Sequence, residues 1–437
     1  MRRHTLLLCG LLAACSSSNG TSPGSGSLTL TIAGPTGMTP SVVVTGPQSY
    51  SKTVTSTTTL TGLPAGSYTV TAATVLGHDS IVPAAYVATV TGNPSSVTAS
   101  ATATATVTYA VRPGSGAAWV VGGFPFVNDV VPNAALSFTS AQLRATGTPT
   151  PVATVNLTTT AGANTDASDA AFDSAGNLWI ANQNSNNVIE LTPTQLAGSG
   201  SPTPAVTITM PSDSAGPIAL RFDAHHNLWI ANQWAGTIIE LTPAQLVSGT
   251  AAPTVTIQDG PPEHSFQTSG NNPEGLAFDA AGNLWVASQW RGNVIEYTAT
   301  QLTTSGSPTP AVTLTPTLPN PSSDSSVVAP IGLTFDSQGN LWISGLGVYE
   351  VAASALTTSG SPAAAKWFTP PRGPHGFYAL VTGVTFDDSG NLWFSGFDFG
   401  IIGEYTAAQI AAGGDPAPAV EITMSGRLAP VRLAFDR

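Results

Sequence analysis

The chain has 437 residues, which is long enough for two or three domains with substantial cores. Hydrophobic residues make up 42% of it, so the chain is not compositionally disordered, although only 8% of its residues are charged. The formal net charge is −12, with lysine only at Lys52 and Lys366. Such a surface argues against a nucleic acid partner and against electrostatic binding to anionic lipid, because it repels both.

The first residues have the arrangement of a bacterial lipoprotein signal. A basic Arg2-Arg3 pair precedes the apolar run TLLLCGLL, which is too short to span a bilayer. The following LAAC, which ends at Cys15, resembles the lipobox, where signal peptidase cuts before a cysteine that becomes lipid-modified. The resemblance implies a signal peptide over residues 1–14, lipidation of Cys15, and a lipidated cysteine with a flexible Ser- and Gly-rich tether over residues 15–27.

This signal also predicts the location of the protein. We expect a cell-envelope protein that is held to the membrane by its lipid anchor. By resemblance to lipoprotein sorting, Ser16 favours the outer membrane, with the protein either periplasmic or surface-exposed. Cys9 would leave with the signal and Cys15 would carry acyl chains, so the mature chain would have no free thiol. The alternative is an ordinary secretory signal with an incidental cysteine.

Residues 28–111 predict a small β-sandwich. Short runs such as SLTLTIAG and SVVVTGP alternate apolar residues with Thr or Ser, and turn residues separate them. In TTLTGLPAGSYTVTA, the turn Pro64-Ala65-Gly66 lies between two such runs and indicates a hairpin. The segment GLPAGSYTV resembles the prealbumin-like or immunoglobulin-like sandwiches of bacterial surface proteins. RPGSG, residues 112–116, is predicted to link this domain to the next.

The region 117–437 is repetitive. AAFDSAGNLWIAN, ALRFDAHHNLWIAN and GLAFDAAGNLWVAS are copies of one motif, and a second motif such as LTPTQL or YTATQL follows it. Each repeat predicts four strands, and the second strand is apolar on both faces, which is typical of a blade packed between two others. The motif tryptophan recurs six times, at intervals of 50 to 60 residues: Trp119, Trp179, Trp229, Trp285, Trp342 and Trp393.

The two ends of this region predict how it closes. The chain ends in VRLAFDR, a first strand with Phe435-Asp436 and no second strand after it, whereas the repeat at Trp119 has no first strand before it. We therefore predict that the C-terminal strand completes the first blade and closes a ring of six. The predicted fold class is all-β, with a small β-sandwich followed by a six-bladed β-propeller closed by the C-terminal strand.

The most repeated residues predict turns and core contacts. Asp279-Ala280-Ala281-Gly282-Asn283 joins the first two strands, where Asp accepts backbone N–H bonds and Gly supplies a left-handed conformation. The alternative is a calcium loop, but the alternating carboxylates and terminal Glu of such a loop are missing. His226 replaces the glycine in one repeat, so the His225-His226 pair is predicted to fill a turn. Third-strand glutamates recur in five repeats, which favours a structural role: Glu190, Glu240, Glu296, Glu350 and Glu404.

Binding residues are predicted on the rim of the propeller. By propeller convention, the loops after the second strand and before the first strand share one face around the central channel. Asp169 and Glu274 lie just before first strands on this face. Amides next to exposed aromatic rings suit a neutral polar ligand such as a sugar or a peptide. The alternative is that the tryptophans pack on adjacent loops and the amides satisfy backbone groups. The predicted ligand-binding residues are Asn182, Gln183, Asn232, Gln233, Trp234, Gln289 and Trp290.

Repeats such as GLAFDAAGNLWVAS resemble those of NHL-type propellers, streptogramin lyases and the gluconolactonase family, over residues 117–437. The lyases use histidines and a glutamate with a magnesium ion at the channel mouth, often with Pro-His-Gly leading into the first strand. Here Pro374-His375-Gly376 lies seven residues upstream of the equivalent Gly383. Gluconolactonases coordinate a divalent cation with Glu, Asn and Asp, which implies Glu274 and Asp169 as candidate metal ligands.

Three interpretations are compatible with these residues. The first is a non-enzymatic, lipid-anchored binding or interaction module, a monomer without a cofactor, which takes a polar small molecule, a glycan or a protein. The alternative is a metal-dependent lyase or lactonase, with Glu274 and His264 or His375 as catalytic acid and base and Mg or Ca as the Lewis acid. A purely structural envelope protein is the third interpretation.

Overall fold

The computed structural model of the protein describes residues 24–123, 133–157, 167–212, 215–259, 272–318, 329–370, 380–397, 400–424 and 429–436. The structure is all-β, with 50% strand and 6% helix. No helix in these ranges is long and apolar enough to cross a membrane. The chain divides into two compact units, Met1–Val75 with Val87–Ala110, and Leu76–Tyr86 with Val111–Arg437.

The N-terminal strands form two sheets. In chain order they are β1 (Ser25–Ala33), β2 (Val42–Gly46), β3 (Tyr50–Val54), β4 (Thr58–Pro64), β5 (Gly66–Ala72), β6 (Val75–Leu76), β7 (Ala85–Thr91), β8 (Ser95–Val97) and β9 (Thr102–Val111). The order is β4-β1-β9-β7-β6 in one sheet and β3-β2-β5-β8 in the other. The alternation of Thr with apolar residues places every second side chain in the core, such as Leu28 and Leu30 on β1 and Val42 and Val44 on β2.

The repeats lie in the second unit. Its first strands in chain order are β10 (Ala117–Gly122), β11 (Ala134–Thr139), β12 (Ala153–Asn156), β13 (Ala167–Phe172), β14 (Leu178–Asn182), β15 (Asn187–Leu191), β16 (Val206–Thr209), β17 (Pro217–Phe222), β18 (Leu228–Asn232), β19 (Thr237–Leu241), β20 (Gly249–Thr250) and β21 (Val255–Gln258). The remaining strands are β22 (Gly275–Phe278), β23 (Leu284–Ser288), β24 (Asn293–Tyr297), β25 (Val312–Leu314), β26 (Leu333–Phe335), β27 (Leu341–Ser344), β28 (Val348–Val351), β29 (Lys366–Phe368), β30 (Val381–Phe386), β31 (Leu392–Gly396), β32 (Ile401–Tyr405), β33 (Val420–Thr423) and β34 (Pro430–Phe435).

Short helical turns follow the third strand of each repeat. Each begins at or near the Thr or Ala of the second sequence motif, and in the α-helices a Thr side chain caps the first turn. They are the α-helices α1 (Pro193–Leu196) and α2 (Ala407–Ala412) and the 3₁₀ turns Gln142–Arg144, Pro243–Gln245, Gln301–Thr303 and Ala353–Ala355.

The strands of this unit form similar sheets of four antiparallel strands. The orders are β17-β18-β19-β21, β22-β23-β24-β25, β26-β27-β28-β29 and β30-β31-β32-β33, and β13-β14-β15-β16 has β20 added at its edge. In the remaining sheet, β34 takes the place of a first strand beside β10, β11 and β12. β34 pairs antiparallel with β10, which is the pairing predicted from the two ends of the repeat region. Repeated four-stranded sheets of this kind are consistent with a β-propeller.

Five of the sheets pack on the next through their repeat tryptophan. The indole lies edge-on to the phenylalanine of the following first strand, with ring centroids 5.9 to 6.4 Å apart. Such pairs contribute about 0.5–1.5 kcal/mol beyond the area that they bury. The pairs are Trp179–Phe222, Trp229–Phe278, Trp285–Phe335, Trp342–Phe386 and Trp393–Phe435. In the last pair, the phenylalanine comes from the C-terminal strand.

The turn aspartate holds both its turn and the tryptophan. Oδ1 of Asp279 accepts hydrogen bonds from the backbone N–H groups of Ala281 and Asn283, each at 2.9 Å. Oδ2 accepts from Asn283 Nδ2 at 2.9 Å and from Trp285 Nε1 at 3.2 Å. His226 has φ +63°, so the predicted turn role of its histidine pair is confirmed. The same bonds recur at Asp173, Asp223, Asp336 and Asp387.

The outer edge of each sheet is covered by a loop of the next sheet. For example, Gly200 bridges to Val155 of β12, and Ser199 Oγ accepts a hydrogen bond from Thr154 N at 3.0 Å. The same contact joins the last sheet to the first, because Gly147 bridges to Ile422 of β33. These contacts protect edges that would otherwise be open to pairing with another chain.

The segment Leu76–Tyr86 precedes the repeats but belongs to their unit. Ile81 and Val82 are buried in one cluster with apolar residues of the first and last sheets of the unit. Asp79 orders the segment by accepting hydrogen bonds from the backbone N–H groups of Ile81 and Val82 at 2.9 and 3.1 Å. Composition does not distinguish this segment from the N-terminal strands, so the sequence did not predict its role.

The residues predicted as a linker are bonded into the same unit. Arg112 forms a buried ion pair with Asp436, which directly follows β34. Gly114 accepts a hydrogen bond from Trp119 Nε1 at 3.3 Å, in place of the aspartate that holds the tryptophan in the other described turns. The stretch 112–116 therefore holds the junction where the C-terminal strand completes the first sheet.

Candidate functional site

The first strands of the sheets line a central channel. Each contacts the first strand of the next sheet in the order β34, β13, β17, β22, β26, β30, and β30 contacts β34 again. A cavity of about 490 Å³ opens at the ends of these strands, on the face that the sequence predicted for ligand binding. Its volume is in the range of small-molecule sites.

Glutamines and one glutamate form a hydrogen-bonded row along one wall of the cavity. Gln183 donates from Nε2 to Oε1 of Gln233, and Gln233 donates from Nε2 to Oε1 of Glu274 at 2.6 Å. Gln289 adjoins the same carboxyl group: its amide nitrogen, turned toward Glu274, can donate to the ionised carboxylate at 2.9 and 3.2 Å, whereas its amide oxygen can accept from the protonated carboxyl group. The three glutamines follow the second strands of consecutive sheets, which is why they meet as neighbours.

Glu274 is the acidic residue of this row. Its side chain lies just before β22 and is 5% exposed. Burial raises the pKa of Glu274 from 4.5 to about 8, and the hydrogen bond from Gln233 opposes only part of that rise. The carboxyl group is therefore largely protonated at neutral pH, and the row as a whole carries little charge.

Aromatic and aliphatic side chains also line the cavity. Trp290 is 55% exposed, whereas Trp234 is half-buried and packs against Gly216. The described wall also contains the apolar side chains of Ile218, Ile331, Leu380, Phe397 and Val431, together with the polar side chains of Thr382 and Arg432. The cavity thus offers both hydrogen bonds and apolar contacts.

An ion-pair cluster lies at the base of the channel. Asp169, fully buried on β13, accepts from Arg432 Nε at 2.6 Å and from Arg221 Nη1 at 2.9 Å. Its Oδ2 also accepts from the backbone N–H of Leu220 at 2.9 Å. Arg432 lines the cavity, and its Nη1 makes no hydrogen bond among the described residues. Neither arginine was predicted from the sequence, although Arg432 occupies a first-strand position where four other repeats have Gly or Ala.

The predicted rim residues divide into two groups. Gln183, Gln233, Gln289, Trp234, Trp290 and Glu274 line the cavity. Asn182 and Asn232 are buried and do not belong to its described wall. Asn182 Nδ2 donates to Asn187 Oδ1 at 2.9 Å, and Asn232 Nδ2 donates to Thr237 Oγ1 at 3.2 Å, so both close hairpins. His264 and His375 lie outside the described residues, as does Cys15.

The described residues do not fit the magnesium or calcium site that the family resemblance implies. Both oxygens of Asp169 accept from arginines or backbone N–H groups, and the carboxyl group of Glu274 is bonded to two amides. A divalent cation prefers uncommitted, ionised carboxylates, and the guanidinium groups beside Asp169 repel it. Within the described ranges, no group of three His, Cys, Asp or Glu side chains could hold a metal ion.

The third-strand glutamates lie away from the cavity and contact neighbouring side chains. Glu240 Oε1 accepts from Asn227 Nδ2 at 2.8 Å, and Glu350 pairs with Lys366 at 2.6 Å. Burial raises the pKa of Glu404 to about 7, and the nearby Asp387 adds to the rise. Each glutamate stands opposite a repeat tryptophan in the sheet register, as in Trp285 and Glu296. These contacts agree with the predicted structural role.

No known protein family matches the chain, and no curated protein matches it. Solved structures are similar in fold. A streptogramin B lyase is 15% identical with a TM-score of 0.44, covering 74% of this chain and 88% of its own. An inactive virginiamycin B lyase from Staphylococcus aureus with quinupristin is 16% identical with a TM-score of 0.39, covering 61% and 73%. A nidogen/laminin complex is 11% identical with a TM-score of 0.44, covering 74% and 98%. These likenesses concern the fold alone and assign no activity.

Proposed function

We propose that the protein is a non-enzymatic binding module, whose repeat domain takes a ligand in the cavity at the channel mouth. The row of Gln183, Gln233, Glu274 and Gln289 beside Trp234 and Trp290 carries this proposal. The ligand classes are a polar small molecule, a glycan or a protein segment. A row of amides together with apolar side chains suits a ligand with hydrogen-bonding groups along one edge.

Trp290 gives the sharpest test of this proposal. It is 55% exposed, so its replacement by alanine should leave the fold intact and remove a large surface for ligand contact. We expect Trp290→Ala to weaken binding of hits from a glycan and peptide screen about tenfold or more. Val247→Ala is the matched control, because Val247 is 60% exposed and does not belong to the described cavity wall. Equal binding by the Trp290 variant, the Val247 variant and the wild type would contradict the proposed site.

The environment of Glu274 favours a second candidate function. In it, the protein is a lyase or lactonase that uses Glu274 as a general acid or base. A carboxyl group with a pKa of about 8 inside a cavity can exchange a proton near neutral pH. Metal analysis of the purified protein and thermal melts with and without EDTA test the metal-dependent form. Absence of bound metal and of any shift with magnesium or calcium would remove that form.

We further propose that the repeats form a six-bladed propeller and that the N-terminal sheets form a sandwich. The cyclic order of the first strands and the Gly147–Ile422 bridge support the closed ring. The buried alternate residues of β1 and β2 support the sandwich. An experimental structure that shows a different blade number or an open ring would refute this count.

The anchor at Cys15 and the outer-membrane location are also proposals. They are supported by the Arg2-Arg3 pair, the short apolar run and LAAC in the sequence. Cys15→Ser should abolish incorporation of labelled fatty acid and move the protein from the membrane fraction to the soluble fraction. Continued lipid labelling of the Cys15→Ser protein would exclude this anchor.

A further inference from the structure

The cavity has one charged group at its base that the proposed binding function leaves unexplained. Arg432 is 3% exposed and lines the cavity, and its guanidinium group has one nitrogen, Nη1, without a hydrogen-bond partner in the described residues. Buried guanidinium groups normally satisfy their donors, because an unpaired buried donor loses its hydration without compensation. The unsatisfied donor therefore indicates a place for an acceptor that the described residues do not supply.

The charges around Arg432 do not cancel. Arg432 and Arg221 share the single carboxylate of Asp169, so two positive charges face one negative charge. Burial lowers the pKa of Arg432 and Asp169 opposes that effect, but a guanidinium group stays protonated in proteins. This buried cluster carries one net positive charge, although the chain as a whole has a formal charge of −12.

The channel is built to make room for this group. The residues that correspond to Arg432 in the strand register of other sheets are Ala219, Gly275, Gly332 and Gly383. A Cβ atom added to Gly332 would lie 3.0 Å from Arg432 Nη1, and one added to Gly383 would lie 3.2 Å from Arg432 Cδ. The atoms nearest to these added carbons are Ser344 Oγ at 2.6 Å and Ser395 Oγ at 2.5 Å, so glycine at both positions leaves room for a serine hydroxyl as well as for the Arg432 side chain.

We propose that the ligand of the cavity is a small organic anion, a carboxylate on an apolar body, with its charged group bound at Arg432. The inference rests on the proposed binding function and names the chemistry of its ligand. Arg432 Nη1 can donate a charge-assisted hydrogen bond to a carboxylate, and the apolar body would lie against Ile331, Phe397 and Val431. The glutamine row then hydrogen-bonds polar groups of the ligand.

Three probes with one apolar body test this charge selection on the mature wild-type chain. They are 4-phenylbutyrate, 4-phenylbutanamide and 4-phenylbutylamine, each titrated calorimetrically at pH 7. We expect the carboxylate to bind about 10- to 100-fold more tightly than the amide, and the amine to bind most weakly. This comparison needs no variant, so it does not depend on how well a mutated protein folds.

Two variants then locate the effect. Arg432→Gln should reduce carboxylate affinity about tenfold or more and remove the difference between carboxylate and amide. Arg144→Gln is the control, because Arg144 pairs with Asp79 and does not belong to the described cavity wall, and it should retain the preference for the carboxylate. A thermal melt confirms that each variant is folded.

The outcomes separate this inference from the proposed function. An amide or amine that binds as tightly as the carboxylate overturns the anion inference and leaves a binding site standing. Failure of all three probes also overturns the anion inference, whereas the glycan and peptide screen with Trp290→Ala decides the binding function independently. An unchanged carboxylate preference in folded Arg432→Gln shows that the anion binds elsewhere.

Discussion

Glu274 should make the stability of the repeat domain depend on pH. In the folded protein its pKa is about 8, whereas an exposed glutamate has a pKa of 4.5. Between these values the folded state holds a proton that the unfolded chain has lost, so stability falls as pH rises through this window. Each pH unit in this window lowers the free energy of unfolding by about 1.4 kcal/mol, so the whole window lowers it by about 5 kcal/mol at most.

Glu274→Gln removes this titration while it keeps the shape of the side chain. The new amide still accepts from Gln233, and the amide of Gln289 can turn its oxygen toward it. Between pH 5 and pH 9, we expect the free energy of unfolding of the variant to exceed that of the wild type. The difference should be at least about 2 kcal/mol and should reach up to about 5 kcal/mol. Below pH 4.5 the difference should vanish or reverse, because the neutral acid is then present in both states of the wild type.

Guanidinium unfolding followed by tryptophan fluorescence measures this difference, since the repeat tryptophans are buried between the sheets. Glu296→Gln in the same sheet is the control. Burial and the nearby Asp279 raise the pKa of Glu296, which lies away from the cavity. We expect the stability difference between Glu296→Gln and the wild type to depend less on pH than the difference for Glu274→Gln. Parallel stability curves for the Glu274 variant and the wild type would refute the reasoning, because they would show that Glu274 ionises normally in the folded state.

Three further predictions concern the fold. His226→Gly should stabilise the protein by up to about 1 kcal/mol because glycine adopts φ +63° without strain, and His225→Gly, at a position without a positive φ, should not. Arg112→Gln should destabilise by about 3 kcal/mol in urea unfolding, since it leaves the buried Asp436 unpaired; a smaller loss in the double variant with Asp436→Asn would confirm this cause. Ile81→Ala should cost about 2–5 kcal/mol, whereas Leu76→Ala, at an exposed position of the same segment, should cost far less. Equal costs would show that Ile81 is not a core residue.

The fold was predictable where the signal is local and repeated. Asp279 and Gly282 specify a turn within five residues. Copies of that turn join the first and second strands in the other repeats that contain it. The pairing of the C-terminal strand also followed, because each end of the repeat region lacks the element that the other end supplies. In contrast, Leu76–Tyr86 has no copy elsewhere in the chain, and its burial depends on residues that fold around it.

The site was predictable in part for the same physical reason. Position after the second strand identified Gln183, Gln233 and Gln289 as cavity residues, since equivalent strand ends meet around one channel. The same argument also pointed to Asn182, but the Asn182 side chain closes its own hairpin and does not belong to the described cavity wall. Arg432 was not predicted because its partner Asp169 lies 263 residues away in the sequence. A repeat pattern predicts where a strand runs, but it does not predict which residue of another strand contacts it.

The pseudo-symmetry of the channel itself indicates which residues are functional. A ring of equivalent positions that serves only packing can use the same small or apolar residue in every repeat. In the upper ring, Glu274 stands among Ser168, Ile218, Ile331, Thr382 and Val431. In the lower ring, Asp169 and Arg432 stand among Ala219, Gly275, Gly332 and Gly383. Buried charged groups cost stability unless they are paired; here Asp169 pairs with Arg432, and Glu274 is bonded to the amides of Gln233 and Gln289. We therefore relate Glu274 and Arg432 to the proposed ligand, because both line the cavity at the described ends of these strands.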